Sequence, residues 1–327
     1  MKAIVYQRYG PPDVVELQEV AKPAPKDDEV LIEVRATTVT SGDARMRALR
    51  VPAGMGLFAR LAVGVSGPRR RILGAELSGV VAAAGKNVTR FEVGAPVFGF
   101  TGTRLGCHVE YRAIPENGLL ASKPANLTFE QAAAMCFGGT TALDFFRRGK
   151  LQRGEKLLVN GASGSVGSAA VQLAKHFGAH VTGVCSAANL DLVRSLGADA
   201  VIDYTREDFT RNGETYDLIM DNAGTAPFAR SRGSLNPGGR LLAVLGGVSD
   251  MLIAPWVNAT TGKRIVPGVS SPRAEDVRLL AELAETGKYR PVIDRMYPLE
   301  RIAEAHAYVD EGHKKGNVVI TVARGDS

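Results

Sequence analysis

Short runs in which β-branched and aromatic residues alternate with polar ones occupy the chain up to about residue 122. Turns rich in glycine and proline, such as Gly10-Pro11-Pro12, separate these runs. Alternation of this kind is typical of strands in an antiparallel barrel or sandwich. The predicted strands cover residues 2–6, 29–36, 78–84, 96–100 and 108–114.

The hydrophobic pattern changes at Pro124. Thr128 is followed three residues later by Gln131, a capping-box spacing that predicts a helix start. Beyond it, apolar runs alternate with segments of helical period, which is typical of a parallel sheet covered by helices on both faces. The predicted strands are 157–160, 180–185, 200–204, 218–221, 240–245 and 265–269, and the predicted helices are 165–177, 188–196 and 273–286.

The last part of the chain returns to the strand-rich pattern, with predicted strands over 292–297 and 317–322 and a helix over 298–311. Since this pattern matches the beginning, we predict that the chain returns to complete its first domain. The fold class is then α/β. A mainly-β domain comprises residues 1–123 and 289–327, and a doubly wound Rossmann domain, residues 124–288, is inserted in it.

Composition narrows the functional classes. The 327 residues include 40 Lys and Arg against 34 Asp and Glu, so the net charge of +6 favours a small anionic ligand over nucleic acid. The three cysteines include no Cys-x-x-Cys pair, which excludes a clustered thiolate zinc site and a disulfide framework. No apolar run approaches the ~20 residues of a membrane span. We therefore expect a cytoplasmic protein with neither a membrane nor a nucleic-acid partner.

A glycine-rich turn links the predicted strand 157–160 to the helix that follows. Small residues there let a pyrophosphate approach the backbone N–H groups at the helix N-terminus. Gly164 would allow that approach, and Gly167 would allow helix and strand to pack closely. A purely structural turn is the alternative, but the strand–turn–helix–strand context favours a dinucleotide site. The candidate contacts are Gly161, Ala162, Gly164, Ser165, Val166 and Gly167.

The segment after the second predicted strand indicates which nicotinamide cofactor binds. An NAD site usually has Asp or Glu there for the ribose hydroxyls, whereas residues 185–189 contain no acid. Ser186 and Asn189 can donate hydrogen bonds to a 2′-phosphate, and Tyr204, with Arg194 or Arg206, could converge on it. NADPH is favoured over NADH; the alternative is that Ser186 is only a loop residue.

The order of several motifs resembles the medium-chain dehydrogenase/reductase superfamily, most closely its zinc-free quinone oxidoreductase-like branch. These motifs extend over nearly the whole chain and include Gly74-Ala75-Glu76-Leu77-Ser78-Gly79, Gly139-Thr140-Thr141-Ala142, the glycine turn, Leu196-Gly197-Ala198-Asp199 and Gly316-Asn317-Val318-Val319. The resemblance implies a GroES-like catalytic domain around the inserted cofactor domain, with the active site in the cleft between them.

The resemblance also bears on metal binding. Zinc-dependent relatives have ligands at the positions of Ser41 and Ala75, so we expect no zinc. Cys107-His108 is interpreted as a β-strand pair whose side chains project in different directions. Without a metal Lewis acid, the expected chemistry is hydride transfer from NADPH to an already electrophilic acceptor, a quinone or an α,β-unsaturated carbonyl.

By resemblance, the substrate side includes Thr40 and Arg45, where relatives often have Asn and an aromatic residue. Thr40 retains one hydrogen-bond donor, and Arg45 would favour anionic or more polar acceptors. The alternative is that Arg45 points into solvent with Arg47 and Arg50. The arginine-rich segment 45–71 is interpreted by default as a solvated face, within which residues 57–63 could form a short amphipathic helix.

The resemblance supplies the remaining cofactor contacts, which are Thr141, Asn222, Leu245, Gly246, Gly247 and Asn317. Physical reasoning agrees for Asn222 and Gly246, because both follow the carboxyl end of a predicted parallel strand. Asp43 and Asp221 receive no proton-transfer role, since each is as readily structural.

Two further expectations concern partners. As an alternative to an oxidoreductase, the chain could be an NADPH-binding redox sensor or scaffold protein with little turnover.

A homodimer is also predicted, because the apolar strand 265–269 would lie at an exposed sheet edge, with Trp256 near the contact. The alternative is a monomer in which residues 273–286 cover that edge.

Overall fold

The computed structural model describes residues 1–50, 60–61 and 63–323. The chain divides into two compact units, Met1–Phe137 with Arg273–Ser327 and Gly138–Pro272. The boundaries predicted after residue 123 and before residue 289 differ from these. The short helix predicted over 57–63 includes 57–59 and 62, which lie outside the described residues.

The strands, in chain order, are β1 (Lys2–Val5), β2 (Glu16–Glu19), β3 (Glu29–Val39), β4 (Glu76–Ala84), β5 (Pro96–Phe100), β6 (Tyr111–Pro115), β7 (Leu119–Ser122), β8 (Lys156–Asn160), β9 (His180–Cys185), β10 (Ala200–Asp203), β11 (Tyr216–Asp221), β12 (Leu235–Ala243), β13 (Arg264–Pro267), β14 (Ile293–Pro298) and β15 (Asn317–Thr321).

The α-helices for which full bounds are described are α1 (Ser41–Ala48), α2 (Phe129–Ala133), α3 (Cys136–Gly149), α4 (Ser165–His176), α5 (Leu190–Ser195), α6 (Phe228–Ser231), α7 (Val248–Thr260), α8 (Ala274–Glu285) and α9 (Ile302–Asp310).

The main sheet of the first unit has the strand order β14-β15-β3-β4-β5-β7, and β6 pairs with β3 beside this path. β15 is antiparallel to β3, with Val319 opposite Thr38. The C-terminal strand thus completes the sheet begun near the N-terminus, which confirms the predicted return of the chain. A separate hairpin, β1 with β2, was not predicted as a pair because β2 lacks buried residues to mark its period.

Helices α2 and α8 belong to the first unit, although both were predicted in the second. α2 begins at the predicted cap Thr128, with the reciprocal bonds of a capping box to Gln131. The Ser78 hydroxyl of β4 donates to the Phe129 carbonyl of α2. Asn126, just before α2, donates through Nδ2 to the Ala284 carbonyl of α8 at 2.9 Å. Because a compact unit is defined by its contacts and not by sequence pattern, these hydrogen bonds place α2 and α8 in the first unit.

Cys107 and His108 lie in a loop, so the interpretation of this pair as part of a strand is wrong. Their backbone N–H groups both donate to the Leu73 carbonyl, at 3.0 and 3.1 Å. Leu105 and Gly106 have positive φ angles of 53° and 91°, which interrupt an extended chain before β6.

The second unit contains one six-stranded parallel sheet in the order β10-β9-β8-β11-β12-β13. This is the doubly wound order, and it confirms the predicted Rossmann topology. Leu158, Ile219 and Leu241, from three of its four inner strands, are fully buried. Strands buried on both faces read as continuous apolar runs, which is why the sequence pattern located them.

Candidate functional site

The glycine turn connects β8 to α4 by a sharp reversal of the chain. Gly161 has φ +75°, a left-handed conformation that favours glycine. A Cβ at Gly167 would lie 2.1 Å from the Gly161 carbonyl oxygen and 2.7 Å from Ala162 Cα. Gly167 therefore allows helix and strand to pack closely, as predicted.

Gly164 is the N-cap residue of α4, and no side chain caps this helix end. A Cβ at Gly164 would meet only the Gly161 carbonyl oxygen, at an ordinary 3.6 Å. Packing therefore does not explain glycine at this position, and glycine leaves the helix N-terminus open, a feature of anion-binding helix ends.

The carboxyl ends of four neighbouring strands lie side by side around this turn. The Ala162 N–H donates to the Val184 carbonyl of β9 at 2.9 Å, and the Asn222 N–H donates to the Asn160 carbonyl of β8 at 3.1 Å. The Leu245 N–H, just after β12, donates to the Asp221 carbonyl of β11 at 3.2 Å. Open α/β sheets bind ligands at this edge.

Asp221 shapes the loop that follows β11. Its carboxylate accepts hydrogen bonds from the Asn160 amide at 2.8 Å and from the backbone N–H groups of Ala223, Gly224 and Ala226 at 2.9 to 3.1 Å. A carboxylate that is fully occupied by donors has a structural role here. Asn160 also donates to the Thr225 hydroxyl at 2.9 Å, which ties β8 to the same loop.

Asn222, the next residue, differs from Asp221 in its hydrogen bonding. Both polar atoms of its amide, Nδ2 and Oδ1, are buried and have no hydrogen-bond partner within the described part of the chain. Burying an amide without partners costs free energy, so such a group calls for a ligand or an ordered water. Its place beside Gly161 fits a dinucleotide bound at the glycine turn.

Ser186 and Asn189 follow β9, as predicted, and the Asn189 side chain is held by contacts within the protein. Asn189 is 8 % exposed, and its Nδ2 donates to the hydroxyls of Ser186 at 3.1 Å and Ser163 at 3.3 Å. The predicted donation from Asn189 to a 2′-phosphate stays a prediction; in the structure the amide nitrogen is directed at these two serines. Ser163, which the sequence analysis omitted, joins the site through this contact.

An acid that the sequence analysis missed lies beside this loop. Asp203, at the end of β10, pairs with Cys185 across the sheet. Hydrogen bonds from the Thr205 backbone N–H and hydroxyl hold the pKa of its carboxyl below the usual range, and the Ala187 N–H also donates to it. Inspecting only the end of the second strand could not reveal this acid, because the adjacent parallel strand supplies it.

The three other predicted donors near this loop are exposed. Tyr204 is 57 % exposed, and its N–H donates to the Cys185 carbonyl, which places it at the loop. Arg194 pairs with Asp191 at 2.9 Å, and Arg206 lies 3.8 Å from the Asp203 carboxylate. Neither arginine pairs with Ser186.

The remaining candidates of the second unit occupy helix α3 and the turn before α7. Thr141 is buried within α3. Gly246 follows β12 closely, since a Cβ there would lie 2.7 Å from that of Ala243, and Gly247 is the N-cap residue of α7. Leu245 and these two glycines form the β12–α7 turn at the same sheet edge as Asn222.

Thr40 and Asp43, in the first unit, form a closed pair. Thr40 is the N-cap residue of α1; its hydroxyl donates to the Asp43 carboxylate at 2.6 Å and accepts from the Asp43 N–H at 3.1 Å. The expected donation from Thr40 to a substrate stays a prediction; in the structure its only hydroxyl proton is directed at Asp43. The Asp43 carboxylate also accepts the Gly74 N–H at 2.9 Å, which accounts for this buried acid structurally.

Arg45 is exposed, as the alternative interpretation had it, but Arg47 is not. The Arg47 side chain is completely buried and pairs with Asp310 of α9, which also lies 3.3 Å from the exposed Arg50. The prediction that Arg47 points into solvent is wrong, since the spacing of α1 turns this residue toward α9. Asn317 is buried in β15, and its backbone and amide nitrogens both donate to the Val292 carbonyl.

Possible metal ligands in the first unit are dispersed. In the part of the chain that the structure describes, no group of three or more His, Cys, Asp or Glu side chains could hold a metal ion. Burial raises the pKa of the Cys107 thiol to about 12 and lowers that of the His108 imidazole, whose Nε2 contacts the Thr38 carbonyl at 2.9 Å. Both side chains are packed inside the first unit.

Glu76 is a further buried acid that sequence reasoning left without a role. Its carboxylate accepts hydrogen bonds from the Thr38 hydroxyl and the Phe137 N–H, both at 2.6 Å. Burial raises the pKa of the Glu76 carboxyl to about 7, although these donors oppose the shift. The contacts attach β4 to β3 and to the start of α3 from within the first unit.

Comparisons with known proteins cover both units. The alcohol dehydrogenase GroES-like domain family matches residues 26–125, and the zinc-binding dehydrogenase family matches residues 196–320. The chain is 33 % identical over 98 % of its length to the NADPH-dependent alkenal/one oxidoreductase, chloroplastic, of Arabidopsis thaliana, covering 79 % of that protein. It is 31 % identical to the chloroplastic quinone-oxidoreductase homolog of Spinacia oleracea, with 98 % of each chain covered.

Among solved structures, the quinone oxidoreductase from Coxiella burnetii is similar over 99 % of each chain, with 28 % sequence identity and a TM-score of 0.87. In the described residues, no helix is both long enough and apolar enough to cross a membrane.

Proposed function

Because the chain belongs to the medium-chain dehydrogenase/reductase superfamily, in its quinone oxidoreductase-like branch, we propose that it transfers hydride from NADPH to a quinone or an α,β-unsaturated carbonyl. The observation that carries the proposal is the unpartnered, buried amide of Asn222 beside the glycine turn. Buried polar atoms without protein partners at the ligand-binding edge of a doubly wound sheet fit a dinucleotide.

The chain's own residues bind and orient the cofactor. The N-terminus of α4, left open by Gly164, would receive the pyrophosphate, and Asn222 would hydrogen-bond beside it. When bound, the nicotinamide supplies the hydride. The protein contributes alignment of the two reactants, which alone lowers the barrier substantially.

The reaction is proposed to need no zinc. Ser41 and Ala75 occupy the positions where zinc-dependent relatives carry ligands. An acceptor whose double bond is already polarised by a carbonyl does not require a metal Lewis acid for hydride addition.

Preference for NADPH is part of the proposal. The Ser186 hydroxyl oxygen accepts from Asn189, which leaves its proton free for a 2′-phosphate, and the Arabidopsis relative is named as NADPH-dependent. The Asp203 carboxylate opposes this, but Thr205 and Ala187 already donate to it, and Arg206 lies close by. Its charge is thus partly compensated.

The test is cofactor oxidation with a panel of quinones and enones, followed by the loss of nicotinamide absorbance. We expect turnover with NADPH, a kcat/KM for NADPH at least about tenfold above that for NADH, and no loss in the presence of a chelator. Equal use of the two cofactors would contradict the NADPH assignment. Activity that a chelator abolishes and zinc restores would contradict the metal-free reaction.

One observation favours a second function, an NADPH-binding sensor or scaffold with little turnover. The Thr40 hydroxyl is committed to Asp43, and Arg45 is exposed, so neither predicted substrate-side residue is prepared to polarise an acceptor. Tight NADPH binding without turnover on any acceptor in the panel would support this second function over the first.

The assembly and compartment are also proposed. A homodimer would cover the free edge at β13, and the cytoplasm is the proposed compartment, since the three buried cysteines form no disulfide. Gel filtration and cell fractionation test these two points separately.

A further inference from the structure

One buried amide connects the glycine turn to the loop after β9. Asn189 lies with its Nδ2 3.1 Å from Ser186 Oγ and 3.3 Å from Ser163 Oγ. Ser163 belongs to the glycine turn, and Ser186 directly follows β9. The side chain of Asn189 is therefore shared by the two segments that face the pyrophosphate and the 2′-phosphate of the proposed cofactor.

The chemistry of these contacts fixes the direction of the two hydroxyl protons. An amide nitrogen only donates, so both serine oxygens accept from Asn189. Each hydroxyl has a single proton, and that proton must then point away from Asn189. Both serines are left as donors toward whatever lies outside, and phosphate oxygens are acceptors.

We propose that Asn189 is a positioning residue that orients the Ser163 and Ser186 hydroxyls so that both donate to phosphate groups of NADPH. This inference rests on the proposed function, because it assumes that a dinucleotide occupies the turn. Ser163 would donate to the pyrophosphate, and Ser186 would donate to the 2′-phosphate that distinguishes NADPH from NADH. Asn189 itself acts only through these two serines.

Asparagine and aspartate differ sharply in this role although they have the same shape. A carboxylate at position 189 can only accept, so it would draw both hydroxyl protons inward. The serines would then present lone pairs to the phosphates, and the added charge would repel them. Asn189→Asp therefore reverses the orientation of both serine hydroxyls with little change in side-chain volume.

The first experiment is a fluorescence titration of the full chain with NADPH and NADH. We expect Asn189→Asp to weaken NADPH binding at least about tenfold, the size of one lost charge-assisted hydrogen bond, and to weaken NADH binding less. Adenosine 2′,5′-bisphosphate probes the Ser186 side, and ADP-ribose probes the Ser163 side. Asn87→Asp, an exposed position in the first unit, adds the same charge as a control and should change neither titration.

A double-mutant comparison separates positioning from structural damage. Ser186→Ala should lower the NADPH/NADH affinity ratio, and adding Asn189→Asp to it should lower that ratio little further. A merely structural role would instead lower the melting temperature and weaken both cofactors equally. If Asn189→Asp does not fold, Asn189→Ala removes the donor without adding charge and should reduce NADPH affinity by about threefold.

The outcomes distinguish this inference from the function beneath it. If the unaltered protein binds neither cofactor, the proposed function fails. If it prefers NADPH and the folded Asn189 variants keep the same preference, the positioning role is overturned while the proposed function stands.

Discussion

At the scale of single residues, Asn222 and Asn160 have the same side chain but differ in its hydrogen bonding, which separates a role in binding from a role in stability. The Asn160 amide donates to Asp221 and Thr225, whereas the Asn222 amide has no partner in the described residues. A satisfied buried amide contributes to folding, while an unsatisfied one costs free energy that a ligand can recover.

We predict that Asn222→Ala leaves stability unchanged or raises it, and that it weakens NADPH binding. Asn160→Ala is the matched control and should cost about 1 to 3 kcal/mol of unfolding free energy, because it leaves the buried Asp221 carboxylate short of a donor. Urea unfolding and cofactor titration measure the two effects. A large loss of stability in Asn222→Ala without loss of binding would show that the amide serves the fold.

Residue roles that depend on local backbone could be predicted from sequence, and those that depend on neighbours in space could not. The glycines of the turn could be predicted because a turn between a strand and a helix that is to receive a phosphate leaves little room for side chains. The position of Asp203 beside Ser186 depends on which strand lies next to β9, and the burial of Arg47 depends on α9. Neither relation leaves a local signal in the sequence.

At the scale of secondary-structure elements, the close packing of β8 against α4 gives the second prediction. Gly167→Ala would bring a methyl group within 2.1 Å of the Gly161 carbonyl, so helix and strand must separate. We expect a loss of about 1 to 3 kcal/mol in unfolding free energy. Gly164→Ala meets no close atom and should lose only the preference of the N-cap for glycine over alanine, less than about 1 kcal/mol, while weakening binding of NADPH and ADP-ribose. Thermal unfolding separates the two variants, and equal destabilisation by both would contradict this assignment.

Sequence patterns located the parallel strands well and several helices poorly, for physical reasons. Buried strands are short apolar runs with turn formers at their ends. The first two turns of α3 contain two glycines and two threonines, which are weak helix formers, and α7 contains Pro255, so neither displays an ordinary helical signal. α1 carries few apolar residues, and tertiary contacts of Asp43 and Arg47 hold it instead.

At the scale of the whole molecule, the sequence predicted an inserted second domain but not where each unit ends. The change of hydrophobic period marks a change of sheet type, whereas α2 joins the first unit through a contact with β4, and α8 joins it through a contact with Asn126. Such contacts link residues far apart in the chain, which periodicity does not record.

Exposed apolar side chains give the last prediction, which concerns self-association. β13 is an edge strand of the second unit's sheet, and near it in sequence lie Leu252, Trp256 and Val269, which are 75 %, 64 % and 78 % exposed. Leu252 and Trp256 are four residues apart on α7 and so share one face of that helix. An unpaired edge accompanied by exposed apolar side chains is the feature that two-fold pairing of identical chains removes.

We predict a homodimer at micromolar concentration that Val269→Lys and Trp256→Lys convert to a monomer with the fold intact. Val266 is a poor choice for this test, because it is only 6 % exposed and a lysine there would disrupt the sheet itself. Val93→Lys, at a turn position that is 65 % exposed in the first unit, adds the same charge away from any sheet edge and should leave the dimer unchanged. Sedimentation velocity with circular dichroism measures mass and fold together. A dimer that survives both lysine substitutions would have its interface elsewhere. An unaltered chain that is monomeric would have no interface at all. Either result would refute the role of the β13 edge.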